Sequence, residues 1–150
     1  MTQTRDQKRA AHAYKCVSEV EPSLRKDYNA RVNGLGAQVI RSGLAATVAF
    51  LERDRDSAAV KLLFKHLLDA NIPGVKRDPR ASEQDETRIV PDAVRGLSLE
   101  DYMLATQEFL AVALWFRRAV QAEPPYVSTP AAQEQTRAAQ AGGPRHPRRP

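Results

Sequence analysis

YNARVNGLGAQVIRSGLAATVAFL, residues 28–51, reads as two helices that meet at Ser42-Gly43. Leu24, Tyr28, Val32, Leu35 and Val39 recur at steps of three and four, the stripe of an amphipathic helix with one buried side. Gly43 then predicts a C-cap, since glycine enters the left-handed region without a Cβ penalty, and Leu44 can fold back as the hydrophobic contact of such a cap. The chain restarts at once with Ala45, Ala46, Val48, Ala49, Phe50 and Leu51, a short helix whose small residues suit close packing between helices. The segment is a helical corner around which the other elements close.

Composition agrees with an all-α domain. The 150 residues suffice for one core, and Leu, Ala and Val dominate while aromatic residues make up only 6%. Lys and Arg outnumber Asp and Glu by 23 to 18, a formal charge of +5 that permits attraction to nucleic acid without requiring it. The single cysteine, Cys16, excludes an internal disulfide and a cysteine-based zinc site. No run approaches the roughly 20 apolar residues of a membrane span, and none resembles a signal peptide. The expectation is a cytoplasmic protein.

Before the corner, the pattern predicts a first helix over residues 4–20. Ala10, Ala13, Tyr14, Val17 and Val20 line one side, and Arg5, Lys8, Arg9, His12 and Lys15 line another. That basic stripe is either a solvated face or a surface for phosphates. Pro22 fits the first turn of the second helix. After the corner, Asp56 or Ser57 is placed to cap a helix reaching about Ala70, with Val60, Leu63, Phe64 and Leu67 on its stripe. His66, at the edge of that arc, carries no assigned chemistry. Residues 75–96 are polar and lack a period, so they predict a long loop, mobile over 76–88 and pinned by Ile89-Val90-Pro91. Ser98 with Asp101 then approximates a capping box, opening a long helix with Tyr102, Ala105, Phe109, Ala113, Phe116 and Val120 on its apolar stripe. Trp115 falls on the other side, where it either covers a neighbouring loop or anchors a subunit contact. Five helices are therefore expected within residues 1–122. Residues 123–150, rich in Pro and Arg, lack the apolar period that could repay their ordering and predict a disordered tail.

Residues for catalysis are not apparent in this pattern. Gly34-Leu35-Gly36 lies inside a helical stripe rather than after a strand, so it is no dinucleotide fingerprint. His12, His66 and His146 lack metal-ligand spacing among themselves or with Cys16. Neither a catalytic set, a metal, a cofactor nor a small-molecule substrate is expected.

Several stretches taken together resemble a known family. They are residues 9–17 (RAAHAYKCV), Tyr28 with Leu35 and Ile40, Ser42-Gly43-Leu44 with Ala49-Phe50-Leu51, Asp101-Tyr102-Met103, Glu108, and Trp115-Phe116-Arg117-Arg118. The resemblance is to the small helical subunit of the type III-B (Cmr) CRISPR effector complex, and it covers most of residues 5–120. Where the family commonly has Asn or a similar polar residue with a second glycine around the corner, this chain has Ser42 before Gly43 and Ala45 after Leu44. The resemblance implies a non-catalytic subunit that stacks with copies of itself beside the crRNA-bearing backbone and helps hold target RNA, in antiviral defence. On that reading Arg5, Lys8, Arg9 and Lys15, with Arg41 and Arg117, contact RNA phosphates, and Trp115, Gly43 and Leu44 face neighbouring subunits. Two alternatives remain: a helical adaptor that self-assembles without nucleic acid, and a helix-turn-helix DNA binder with Gly43 at its turn. The helix after Gly43 is too apolar for the latter.

Overall fold

The computed structural model describes residues 2–77 and 85–123. Six helices run in order: α1 (Arg5–Ser18), α2 (Pro22–Ser42), α3 (Leu44–Arg53), α4 (Ala58–Leu68), α5 (Glu86–Gly96) and α6 (Leu99–Ala122). Every regular element among the described residues is a helix, so the all-α class holds, with one helix more than expected. The tail from residue 124 and the centre of the segment expected to be mobile, residues 78–84, lie outside the described residues.

The additional helix is α5, in a region read as loop. Asp85 caps it by accepting from the Thr87 amide at 3.0 Å and from the Thr87 hydroxyl at 2.6 Å. Thr87, Val90, Pro91 and Val94 are its buried residues, at the spacing of one helical face. Pro91 sits inside the helix and has no N–H to donate. Proline is costly within a helix, so here packing overrides local propensity. Its apolar face lies against α3 and α4.

Gly43 joins α2 to α3 without an intervening loop. Its φ is 87° as expected, but its ψ of 163° is extended rather than left-handed helical. That combination is open essentially to glycine alone. It lets one residue serve two helices: the Gly43 amide donates to the Val39 carbonyl at 2.8 Å, and its own carbonyl accepts from the Thr47 amide and hydroxyl. Glycine brings no capping side chain, and Tyr102 of α6 supplies one. Its phenolic oxygen accepts from the Ala45 amide at 3.0 Å, satisfying a free donor of the first turn of α3. Gly43→Ala is expected to destabilise the fold by about 1–3 kcal/mol in urea denaturation. A Cβ here would stand 3.6 Å from the Tyr102 hydroxyl, an ordinary contact, so the cost arises from the backbone. An unchanged midpoint would mean that the corner relaxes freely.

α6 packs against α1 and α2, while α2 also reaches α3 and α4, and α5 closes over these last two. α2 and α6 are antiparallel: Tyr102 meets the α2–α3 corner, and Arg25 pairs with Glu123 at the other end. Tyr28, Leu35, Leu44, Leu63, Phe64, Leu67, Phe109 and Phe116 fill the core between the layers. Two expectations fail locally. Tyr14, placed on the buried stripe, is 44% exposed, since Ala13, Cys16, Val17 and Val20 define the true face. Ser57 occupies the N-cap of α4 but does not cap it with its side chain; the hydroxyl donates to Asp27 of α2 instead.

Candidate nucleic-acid interface

α1 begins with a complete capping box, in which Thr4 accepts from the Gln7 amide and the Gln7 side chain accepts from the Thr4 amide. This fixed first turn presents the basic residues, and their surroundings split the stripe into two groups. Arg9 and His12 are part-buried in the seam with α6 and the end of α4, while Arg5, Lys8 and Lys15 are exposed.

Arg9 is committed to the fold. Its Nε donates to Glu108 Oε1 at 2.9 Å and its Nη2 to Glu108 Oε2, a two-pronged pair on a carboxylate that is almost fully buried. Arg5 approaches the same carboxylate at 3.6 Å but stays largely exposed. The hydrogen bonds from Arg9 hold the Glu108 carboxyl below the usual carboxylate range, and Glu108 in turn raises the Arg9 guanidinium. Charge-assisted, bidentate pairs of this type are the strong ones. Arg5, Lys8, Arg9 and His12 also line a cleft of about 310 Å³ together with Asp69, Asn71 and Glu108.

Below the cleft lies a buried polar chain that the sequence did not disclose. The Tyr28 hydroxyl is 2.7 Å from His66 Nδ1, and His12 Nε2 donates to the His66 carbonyl at 2.9 Å. Both Tyr28 and His66 are buried, and the phenol O–H needs an acceptor, so it donates to the neutral imidazole. Burial, reinforced by His12, lowers the His66 pKa to about 4. Burial likewise pushes the Cys16 thiol up to about 12, which leaves it a packed, unreactive group. His66 is thus a core residue holding α2 to α4. Its position at the edge of an apolar arc was the available signal; the Tyr28 that it meets comes from another helix.

The remaining site residues are dispersed. Arg41 is exposed at the end of α2, and Arg117 is exposed on α6; neither has an acidic partner among the described residues. Leu44 is wholly buried and offers no surface to a neighbouring subunit, and Gly43 is partly covered at the corner. Trp115 meets α1. It is half-buried on the flank of α1, where its indole N–H donates to Asp6 at 2.8 Å and the Arg118 guanidinium lies 4.7 Å from the ring centroid. Among the described residues no group of three or more His, Cys, Asp or Glu side chains could hold a metal ion. No helix among them is long and apolar enough to cross a membrane.

Comparison with known proteins places this arrangement. No curated protein matches the chain. A crystal structure of a CRISPR-associated Cmr5 family protein from Thermus thermophilus superimposes with a TM-score of 0.62 at 31% identity, covering 80% of this chain and 97% of that one. The family model described as CRISPR-associated protein (Cas_Cmr5) matches residues 5–123, from the first residue of α1 to the cap of α6. The chain belongs to the Cmr5 family of CRISPR-associated proteins, the small subunits of type III-B systems.

Proposed function

We propose that this chain is a non-catalytic subunit of a type III-B CRISPR effector complex, assembling with copies of itself and with other subunits, and that it holds RNA through its phosphate backbone. Membership of the family supports the assembly. The RNA contact rests on one observation, that Lys8 and Lys15 stand exposed on one face of the capped helix α1 with no acidic partner among the described residues. Seven residues apart, they lie about 10 Å from each other along the axis. Cations on a rigid helix suit a strand recognised irrespective of sequence, because phosphate contacts position a strand and base contacts select it. Arg5, Arg41 and Arg117 extend the basic surface. Arg9 shapes it from beneath through Glu108, and its guanidinium is not a free phosphate ligand.

Affinity purification of the tagged chain from its own host, with sequencing of bound small RNA, tests the assembly. Recovery of guide-length RNA together with further subunits is the expected outcome. Recovery of the chain alone, free of RNA, favours the self-assembling adaptor.

A further inference from the structure

We infer that Trp115 is a base-stacking platform for single-stranded RNA, with Arg118 as its cationic companion; the inference rests on the proposed reading of the chain as an RNA-holding subunit. The indole is held as a binding platform should be. Its N–H donates to Asp6 Oδ1 at 2.8 Å, and Arg9 Nη1 lies 3.4 Å from the same carboxylate oxygen. Asp6 therefore orients the ring while its charge is offset by Arg9, which is itself anchored on Glu108. The ring is half-buried, so its position is fixed but not enclosed.

The face of the ring carries the second observation. Arg118 lies over it with its guanidinium carbon 4.7 Å from the centroid, is exposed, and has no carboxylate partner among the described residues. An exposed cation–π contact is weak, whereas a nucleobase stacked on an aromatic ring gains more. A base can therefore replace the guanidinium on the indole, and the displaced Arg118 then pairs with the adjoining phosphate. Arg118 over the ring and Arg9 on its Asp6 anchor put two guanidinium groups at the platform, beside the exposed Leu114. Stacking of this kind is tolerant of sequence, since every base has a π-face.

Trp115 is the one tryptophan of the chain, so its emission reports its own contacts. The full-length chain is titrated at low salt with a labelled oligoadenylate and, separately, with inorganic polyphosphate of similar charge. Oligoadenylate is expected to quench the emission at saturation, and polyphosphate to bind without quenching. Trp115→Ala should weaken oligoadenylate binding about tenfold while leaving polyphosphate affinity unchanged. Trp115→Phe, which keeps a ring and a packed seam, should lose less than Trp115→Ala. Lys8→Ala with Lys15→Ala should weaken both ligands yet preserve the quench at saturation. Oligoadenylate that binds, by anisotropy of its label, without altering the emission overturns the stacking inference and leaves the backbone reading standing. So does wild-type affinity in Trp115→Ala. Absence of oligoadenylate binding overturns both, and makes Trp115 an element of the α1–α6 seam or of a protein contact.

Discussion

Glu108→Ala lowers the stability of the fold by about 3 kcal/mol, and with it the thermal midpoint by roughly 10 °C. The cost comes from what remains rather than from what is removed. Arg9 keeps its charge in a seam where only 18% of its side chain is exposed, having lost the carboxylate that received two of its N–H groups. Removing one partner of a buried pair is more damaging than replacing both, because a single charge is left desolvated. Arg9→Ala combined with Glu108→Ala should therefore lose less than the sum of the two single changes, with a coupling of about 1 kcal/mol or more. If Glu108→Ala stays within about 0.5 kcal/mol of the parent in denaturant melts, the pair is solvated and Arg9 returns to the list of phosphate ligands.

Acidification should destabilise the protein by about 3 kcal/mol between pH 6.5 and 4, most of it above the range in which carboxylates titrate. The group responsible is His66, whose folded pKa is lowered to about 4 by burial and by His12. A lowered histidine pKa means that the unfolded chain takes up a proton which the folded one refuses. Stability from this source is complete above the unfolded value near 6.5, falls with pH, and is fully lost once pH passes below the folded value. Glu108 adds its own loss only at lower pH, because its depressed carboxyl contributes stability above the ordinary carboxylate range and forfeits it as pH drops through the folded pKa. Denaturant midpoints at pH 7, 5.5 and 4 separate the two. A His66→Gln variant should lose the slope above pH 4, whatever its stability at neutral pH. A flat profile in the parent from pH 7 to 4 would show that His66 opens to water at little cost.

These effects trace what the sequence discloses and what it conceals. The stripe of α2 was legible because its apolar residues repeat with the period of the helix, and all but the first of them, Leu24, are buried. Gly43 was legible as a break, since glycine is the residue most at ease with a positive φ, though its extended ψ depends on α3 starting at the next residue. α5 was not legible because Pro91 and the polar run before it signal a loop; its buried face emerges only against α3 and α4. The basic stripe of α1 looked continuous because a helical wheel gives directions and no neighbours. Its division into bound Arg9 and free Lys8 and Lys15 depends on Glu108, 99 residues away in the chain. A glutamate next to Phe109 on a deeply packed helix was a sign that a cation had to meet it. Trp115 could be assigned no partner for the same reason, since Asp6 is 109 residues distant.

The direct test of the RNA-holding role is the salt dependence of single-stranded RNA affinity, measured for the isolated chain and for the assembled complex. Each neutralised phosphate releases counterion and contributes roughly 0.7 to the log–log slope on a single strand. Replacing Lys8 and Lys15 by alanine should lower the slope by about 1.4, weaken binding nearly equally across RNA sequences, and leave the unfolding midpoint unchanged. An unaltered affinity and slope in both settings, with binding abolished by truncation after Glu123, would assign the contact to the Arg-rich tail and contradict the account.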